Sequence, residues 1–261
     1  MKFPKKSLGQ NFLIDQNIIK KIINLTKVTG ENILEIGPGK GALTKEILKK
    51  GPKSLLLIEK DNSLFNDLKK KYKGNNKITV FNKDILKFDI EKKLKKNTII
   101  FGNLPYNISS QILVSTIKFK IWPPKYKGLI FMFQKELAEK IIGKFGTSKY
   151  GRLSILTNYR LQLIEKFDIS PNCFFPKPRV NSTILFLKPN KNITTKIKEI
   201  SNLEKITNIL FSSRRKMINK SIKKIFNKKQ IKLIKNLDER SRPSDLKPEE
   251  YYEITKLFER K

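Results

Sequence analysis

The sequence predicts an α/β protein: a largely parallel sheet covered by helices on both faces, followed by a small all-helical domain. Short, continuously apolar runs alternate with helix-period segments between residues 32 and 160. Glycines cluster where the first of these runs hands over to its helix, and strand-type runs stop after Pro189. Short buried strands alternating with helices need cover on both sheet faces, which is the pattern of a parallel sheet.

The elements follow in order. Asp15 stands ahead of Ile18, Ile19, Ile22 and Ile23, which share one helical face, and its side chain is placed to cap that helix. Residues 32–36 form a buried strand, 42–50 a helix and 54–59 a second strand built on Leu55-Leu56-Leu57-Ile58. A helix over 63–72, strands over 77–82 and 98–102 and a helix over 110–119 come next. A strand over 128–133 precedes helices over 135–143 and 152–160. Residues 161–170 and 182–187 are two more strands, separated by a turn-rich segment that makes a hairpin-like end to the sheet. Residues 191–195 are a linker, and 203–261 carry helical periodicity. The expected domains are therefore 1–188 and 189–261, with no internal repeat.

Composition narrows the function. The 261 residues carry a formal net charge of +34, an excess that points to a polyanion, usually nucleic acid. Nearly all of that charge is lysine, which A/T-biased codon use also enriches, so part of it reflects composition rather than affinity. The chain has no histidine and one cysteine, Cys173, which excludes Ser-His-Asp and Cys-His catalysis and leaves no ligand set for structural zinc. No metal site is expected, although carboxylates alone would suffice for magnesium. A lone cysteine cannot form an internal disulfide, as suits a reducing compartment. With no apolar run near ~18 residues and no signal-like core at the start, a soluble, cytoplasmic protein without membrane contact is expected.

Glu35-Ile36-Gly37-Pro38-Gly39-Lys40-Gly41 lies at the first strand-to-helix turn. Glycines there allow positive φ and let a ligand approach the backbone, at the strand ends where open α/β sheets bind ligands. A phosphate-binding loop is rejected because Lys40 is followed by Gly41 rather than Ser or Thr. Glu59 ends the second strand, where a carboxylate can accept from both ribose hydroxyls, and Asp84 follows the third, where it can accept from an adenine amino group. These features in register favour an adenosine-containing cofactor, with NAD and S-adenosylmethionine both open on them alone.

Gly102-Asn103-Leu104-Pro105-Tyr106-Asn107 ends the fourth strand and decides between the two. An adenine amino nitrogen is a poor nucleophile because its lone pair is delocalised into the ring. The Asn103 side-chain oxygen and the Leu104 carbonyl ahead of Pro105 can accept its two N–H groups and drive it toward a tetrahedral shape. Tyr106 offers a ring face to the base. In-line methyl transfer then needs positioning and electrostatic preorganisation rather than a strong base, which suits a chain lacking histidine.

With these residues in view, the chain resembles the ribosomal RNA adenine dimethyltransferases over nearly its whole length. The resemblance rests on Leu8–Leu13, the glycine loop, Gly102–Ser109, Gln134-Lys135-Glu136, Tyr150–Ser154, Phe174–Ser182 and Arg214-Arg215-Lys216. It implies a Rossmann-like class I methyltransferase sheet with a helical C-terminal domain that helps seat rRNA. The implied reaction transfers four methyl groups to two adjacent adenosines in the hairpin near the 3′ end of small-subunit rRNA, within a pre-ribosomal particle. By that resemblance Asn11, Leu13, Gly37, Gly39, Glu59, Asp84 and Asn103 contact S-adenosylmethionine. Asn103, Leu104, Pro105 and Tyr106 hold the target adenine, and Phe174 is the second stacking ring, with Phe175 beside it. The 174–182 segment has fewer prolines than the small-subunit pattern and Asn181 in place of an acid. That departure leans toward large-subunit enzymes of the macrolide-resistance type, while Leu104 and Arg214-Arg215-Lys216 lean back.

Arg214, Arg215 and Lys216 are the main candidate phosphate contacts, because arginine is rare here and suits bidentate phosphate binding. Lys5-Lys6 and Lys223-Lys224 are further candidates. The competing readings are a large-subunit or DNA adenine methyltransferase and a non-catalytic ribosome-assembly factor. Asn103 stands where most DNA enzymes carry Asp. No stable protein partner is implied, and a monomer is expected.

Overall fold

The structure, a computed structural model, describes residues 9–234 and 237–260. Lys5, Lys6 and Leu8 lie outside the described residues. Strands are β1 (Phe12–Leu13), β2 (Asn32–Ile36), β3 (Ser54–Glu59), β4 (Ile78–Asn82), β5 (Thr98–Asn103), β6 (Tyr126–Gln134), β7 (Leu161–Ile169), β8 (Phe174–Phe175) and β9 (Ser182–Pro189). Helices are α1 (Gln16–Ile23), α2 (Ala42–Lys49), α3 (Asn62–Lys71), α4 (Ile90–Lys93), α5 (Ser109–Ile117), α6 (Lys135–Ile141), α7 (Arg152–Arg160), α8 (Ile200–Phe211), α9 (Asn219–Lys223), α10 (Lys228–Ile231) and α11 (Pro248–Phe258).

Seven strands form one sheet in the order β4-β3-β2-β5-β6-β9-β7. The pairs from β4 to β6 are parallel, and β9 runs antiparallel to β6. Because β2 has β3 on one side and β5 on the other, the winding direction reverses beside it, and the crevice at that switch point opens at the strand ends. The expected hairpin-like end is present: β9 and β7 are neighbours, and β7 is the outer strand.

Burial explains why these runs are strands. Leu34, Leu57 and Ile100 are fully buried on central strands, as runs covered on both faces require. Asp15 caps α1 by accepting from the backbone N–H groups of Asn17 and Ile18, and Ile19, Ile22 and Ile23 are buried. Asp61 caps α3 in the same way through Ser63 and Leu64. Burying one apolar side chain contributes roughly 1.5–3 kcal/mol, so this stripe outweighs the helix's short length.

The chain divides into two compact units, Met1–Ala138 with Leu163–Pro189 and Glu139–Gln162 with Asn190–Lys261. One crossing between the units falls after Pro189, one residue past the expected 188/189 boundary, and the segment Glu139–Gln162 groups with the C-terminal unit. The reason is packing. Ile155, Leu156 and Tyr159 of α7 are buried, the Tyr159 and Tyr252 ring centroids are 4.9 Å apart, and the Tyr150 hydroxyl donates to the Leu246 carbonyl at 2.9 Å. The same unit holds Leu203, Ile206 and Leu210 of α8 and Tyr251 and Ile254 of α11 in its core. Glu259 accepts from the backbone N–H groups of Lys198 and Glu199, tying the α11 end to the segment entering α8.

One element has no counterpart in the expectations. β1 and β8 pair antiparallel, Phe12 opposite Phe175 and Leu13 opposite Phe174, as a separate two-stranded sheet. The Ile14 N–H donates to the Cys173 carbonyl and extends the pairing. Among the described residues no helix is long and apolar enough to cross a membrane, and no cluster of His, Cys, Asp and Glu could hold a metal ion.

Candidate active site

The first unit carries a cleft of about 370 Å³ at the carboxyl ends of β2, β3 and β5. Its lining includes Asn11, Leu13, Gly37, Gly39, Glu59, Asp84 and Asn103 through Tyr106, which brings these candidate residues together in one cleft.

The glycine loop forms one wall. Gly37, Gly39 and Gly41 all have positive φ. At Gly39 a Cβ would lie 2.9 Å from the Phe12 ring, so a side chain there would displace the roof of the cleft. The Gly37 N–H donates to the Ile58 carbonyl, which fixes the turn to β3.

Glu59 sits at the end of β3, 6% exposed. One carboxylate oxygen accepts from the Gly39 N–H at 3.0 Å, the other from the Asp61 N–H at 2.9 Å. Burial pushes its carboxyl up, opposed by those two backbone donors. Each oxygen keeps a further lone pair for a diol. Glu35, on β2 below the loop, is fully buried and accepts from the Thr44 hydroxyl at 2.6 Å. Burial raises its carboxyl to about 7, against the Thr44 hydrogen bond and with a smaller push from Glu59.

Asp84 lies beyond β4, where the Lys60 ammonium pairs with one oxygen at 2.9 Å and the Leu86 N–H donates to the other at 3.0 Å. Lys60 holds this carboxyl below the usual range, so it is an acceptor at neutral pH. Sequence reasoning gave no role to Lys60; a lysine directly after the strand-ending acid was the available signal.

Asn103 ends β5. Its side-chain nitrogen donates to the Asn11 carbonyl at 2.9 Å. A carbonyl can only accept, so this bond turns the amide nitrogen toward Asn11 and leaves the side-chain oxygen available as an acceptor. Leu104 is buried, and its side chain folds back over Gly102, where a Cβ would collide with it. Pro105 follows and removes one backbone donor from the turn. Tyr106 is half-buried, with its hydroxyl 2.6 Å from the Ser182 hydroxyl. Burial pushes the Tyr106 phenol up, so it stays protonated.

One expectation needs correction. Phe174 does not line the cleft; it is 3% exposed and packs in the core with Leu13, Ile169 and Ile184. Adjacent residues on a strand face opposite sides, and the ring at the cleft is Phe175, 52% exposed. In the second unit Arg214, Arg215 and Lys216 are exposed, but the Arg214 guanidinium is not wholly free for phosphate. One of its nitrogens donates to the carbonyls of Ser148 and Tyr150 at 2.9 and 3.0 Å. Lys223 lies 3.7 Å from Glu239.

The family described as ribosomal RNA adenine dimethylase matches residues 2–260. A ribosomal RNA small subunit methyltransferase A from Pelagibacter ubique (strain HTCC1062) is 44% identical over 259 residues, covering 98% of this chain and 97% of the relative. The protein of the same name from Malacoplasma penetrans (strain HF-2) is 37% identical over 261 residues, covering 97% and 91%. A solved dimethyladenosine transferase from Plasmodium falciparum superposes with a TM-score of 0.74 at 26% identity, covering 93% of this chain and 95% of its own. The 23S rRNA methyltransferase ErmE superposes at 0.69 with 22% identity, covering 95% and 99%, a likeness of fold alone.

Proposed function

The chain belongs to the ribosomal RNA adenine dimethylase family, and on that premise we propose that it dimethylates the N6 amino groups of two adjacent adenosines in the 3′-terminal hairpin of small-subunit rRNA, using S-adenosylmethionine. The relatives named small subunit methyltransferase support this choice over a large-subunit target.

The observation that carries the chemistry is the orientation of Asn103, whose NH2 is held by Asn11. Its oxygen accepts one amino N–H of the target adenine, and the Leu104 carbonyl accepts the other. Two acceptors on one amino group favour a pyramidal nitrogen whose lone pair points out of the ring plane. The Tyr106 face stacks on the base, and Phe175, the exposed ring at the cleft, takes the second stacking position expected of Phe174. The cofactor supplies an electrophilic methyl group on a sulfonium.

The cleft fits that cofactor. Glu59 has lone pairs left for ribose hydroxyls, Asp84 is an ionised acceptor for an adenine amino group, and Gly39 lets the Phe12 ring close over the loop where a Cβ would collide with it. Asn11 and Leu13, in the segment roofing the cleft, and Gly37 complete the set. Catalysis is assigned to positioning and oriented acceptors, with no residue acting as a strong base. Arg215 and Lys216, with a smaller share from Arg214, seat rRNA phosphates, and the substrate is rRNA in a pre-ribosomal particle.

Transfer of labelled methyl groups to small subunits lacking the modification, followed by nucleoside analysis, tests the reading. Dimethyladenosine in small-subunit rRNA is expected, and cofactor binding without transfer to any rRNA would favour a non-catalytic assembly factor.

A further inference from the structure

We propose that Ser182 is a positioning residue for methyl transfer, its buried hydroxyl fixing the Tyr106 ring as the wall against which the target adenine stacks. The inference rests on the functional reading above and adds to it a residue with no contact to either substrate.

Tyr106 is carried by the turn between β5 and α5, and its ring stands half-exposed at the cleft. An aromatic ring on such a turn has a broad torsional well about its second side-chain bond, so packing alone leaves its face loosely aimed. Two tethers remove that freedom. The Ser109 hydroxyl donates to the Tyr106 carbonyl at 3.1 Å and fixes the backbone. The Ser182 hydroxyl, 2.6 Å from the phenol oxygen, fixes the far end of the ring.

Ser182 is suited to act as the anchor. It is fully buried, it opens β9, and it pairs with Gln134 at the end of β6. Its oxygen therefore belongs to the sheet rather than to a mobile surface. It also ends the segment that begins with Phe174-Phe175, so one short stretch of chain holds both the ring at the cleft edge and the anchor of the opposing ring. In a buried environment a lone hydroxyl without its partner is costly, so each group keeps the other in place.

A double-mutant cycle tests this on the full chain with small subunits lacking the modification. Ser182→Ala and Tyr106→Phe remove the same hydrogen bond from opposite ends, and both leave a ring able to stack. Each is expected to lower kcat about fivefold, the order of one neutral hydrogen bond, while KM for the particle moves less than about twofold because phosphate contacts dominate binding. The double variant is expected to lose no more than either single one. Losses that multiply in the double variant, or a Ser182→Ala loss confined to KM, would overturn the inference while leaving the functional reading intact. A wild-type chain that transfers no methyl group would overturn both together.

Discussion

The Asn103 side-chain nitrogen donates to the Asn11 carbonyl 92 residues earlier in the chain, at 2.9 Å. This bond decides which end of the amide the substrate meets. It also predicts how the site treats an acid. Asn103→Asp would set a carboxylate oxygen against the Asn11 carbonyl, two acceptors facing each other, in a chain whose acceptor geometry depends on that contact. Asn103→Asp and Asn103→Ala are both expected to lower methyl transfer at least about a hundredfold, the scale seen when one preorganised polar group is removed from a reacting centre. Single-turnover transfer rates check this; an Asp variant with near wild-type rate would show that the bond to Asn11 does not orient the amide.

The two phenylalanines of β8 separate stability from activity. Phe174→Ala empties a core position and is expected to cost about 3–5 kcal/mol, read as a large fall in Tm. Phe175→Ala removes an exposed ring at the cleft, and is expected to leave Tm nearly unchanged while transfer falls. Thermal unfolding and transfer assays on both variants check the assignment.

Glu35 sets a pH dependence whose sign follows from burial. Its carboxyl is raised from 4.5 to about 7 in the folded chain. Between those values the folded state holds a proton that the unfolded chain has released, so this residue's contribution to stability falls as pH rises through that window. The charged or titratable groups bearing on it are Glu59 from β3 and the Tyr72 phenol after α3, with the Thr44 hydroxyl as its hydrogen-bond donor. Glu35→Gln lacks the ionisation, so its Tm relative to wild type is expected to rise by several degrees between pH 5 and pH 8. Parallel Tm curves across that range would contradict the assignment.

Much of the scaffold was legible from local pattern. β2 and β3 span the residues that their apolar runs predict, and α7 begins and ends where its periodicity does. The glycine loop, Glu59, Asp84 and the Asn103 turn each follow a strand whose hydrophobic run marks its end, so their convergence on one cleft follows from a parallel sheet. The contacts that tune them were not legible. The β1–β8 pair joins two-residue strands some 160 positions apart, too short to carry a period. Asn103 to Asn11 and Tyr106 to Ser182 are single tertiary bonds with no local signature. The Phe174 expectation came from a motif containing two adjacent rings, and only the facing of β8 tells which ring reaches the cleft. The place of α7 in the C-terminal unit was hidden for a similar reason, since its buried residues do not say which neighbour buries them.

In the C-terminal unit, the two arginines are expected to behave differently. Arg214 braces the carbonyls of Ser148 and Tyr150, so Arg214→Ala is expected to lower Tm. Arg215→Ala with Lys216→Ala is expected to leave Tm unchanged, weaken particle binding and lower the slope of log affinity against log salt by about one to two. Binding measured across a salt series checks this; an unchanged slope would remove these residues from the rRNA interface.

The most direct test of the proposed function is nucleoside analysis of small-subunit rRNA after incubation of unmodified particles with labelled S-adenosylmethionine and either the wild-type chain or Asn103→Ala. Dimethyladenosine at two neighbouring positions near the 3′ end is expected with the wild type and none with the variant. Label confined to large-subunit rRNA, or dimethyladenosine undiminished in Asn103→Ala, would contradict it.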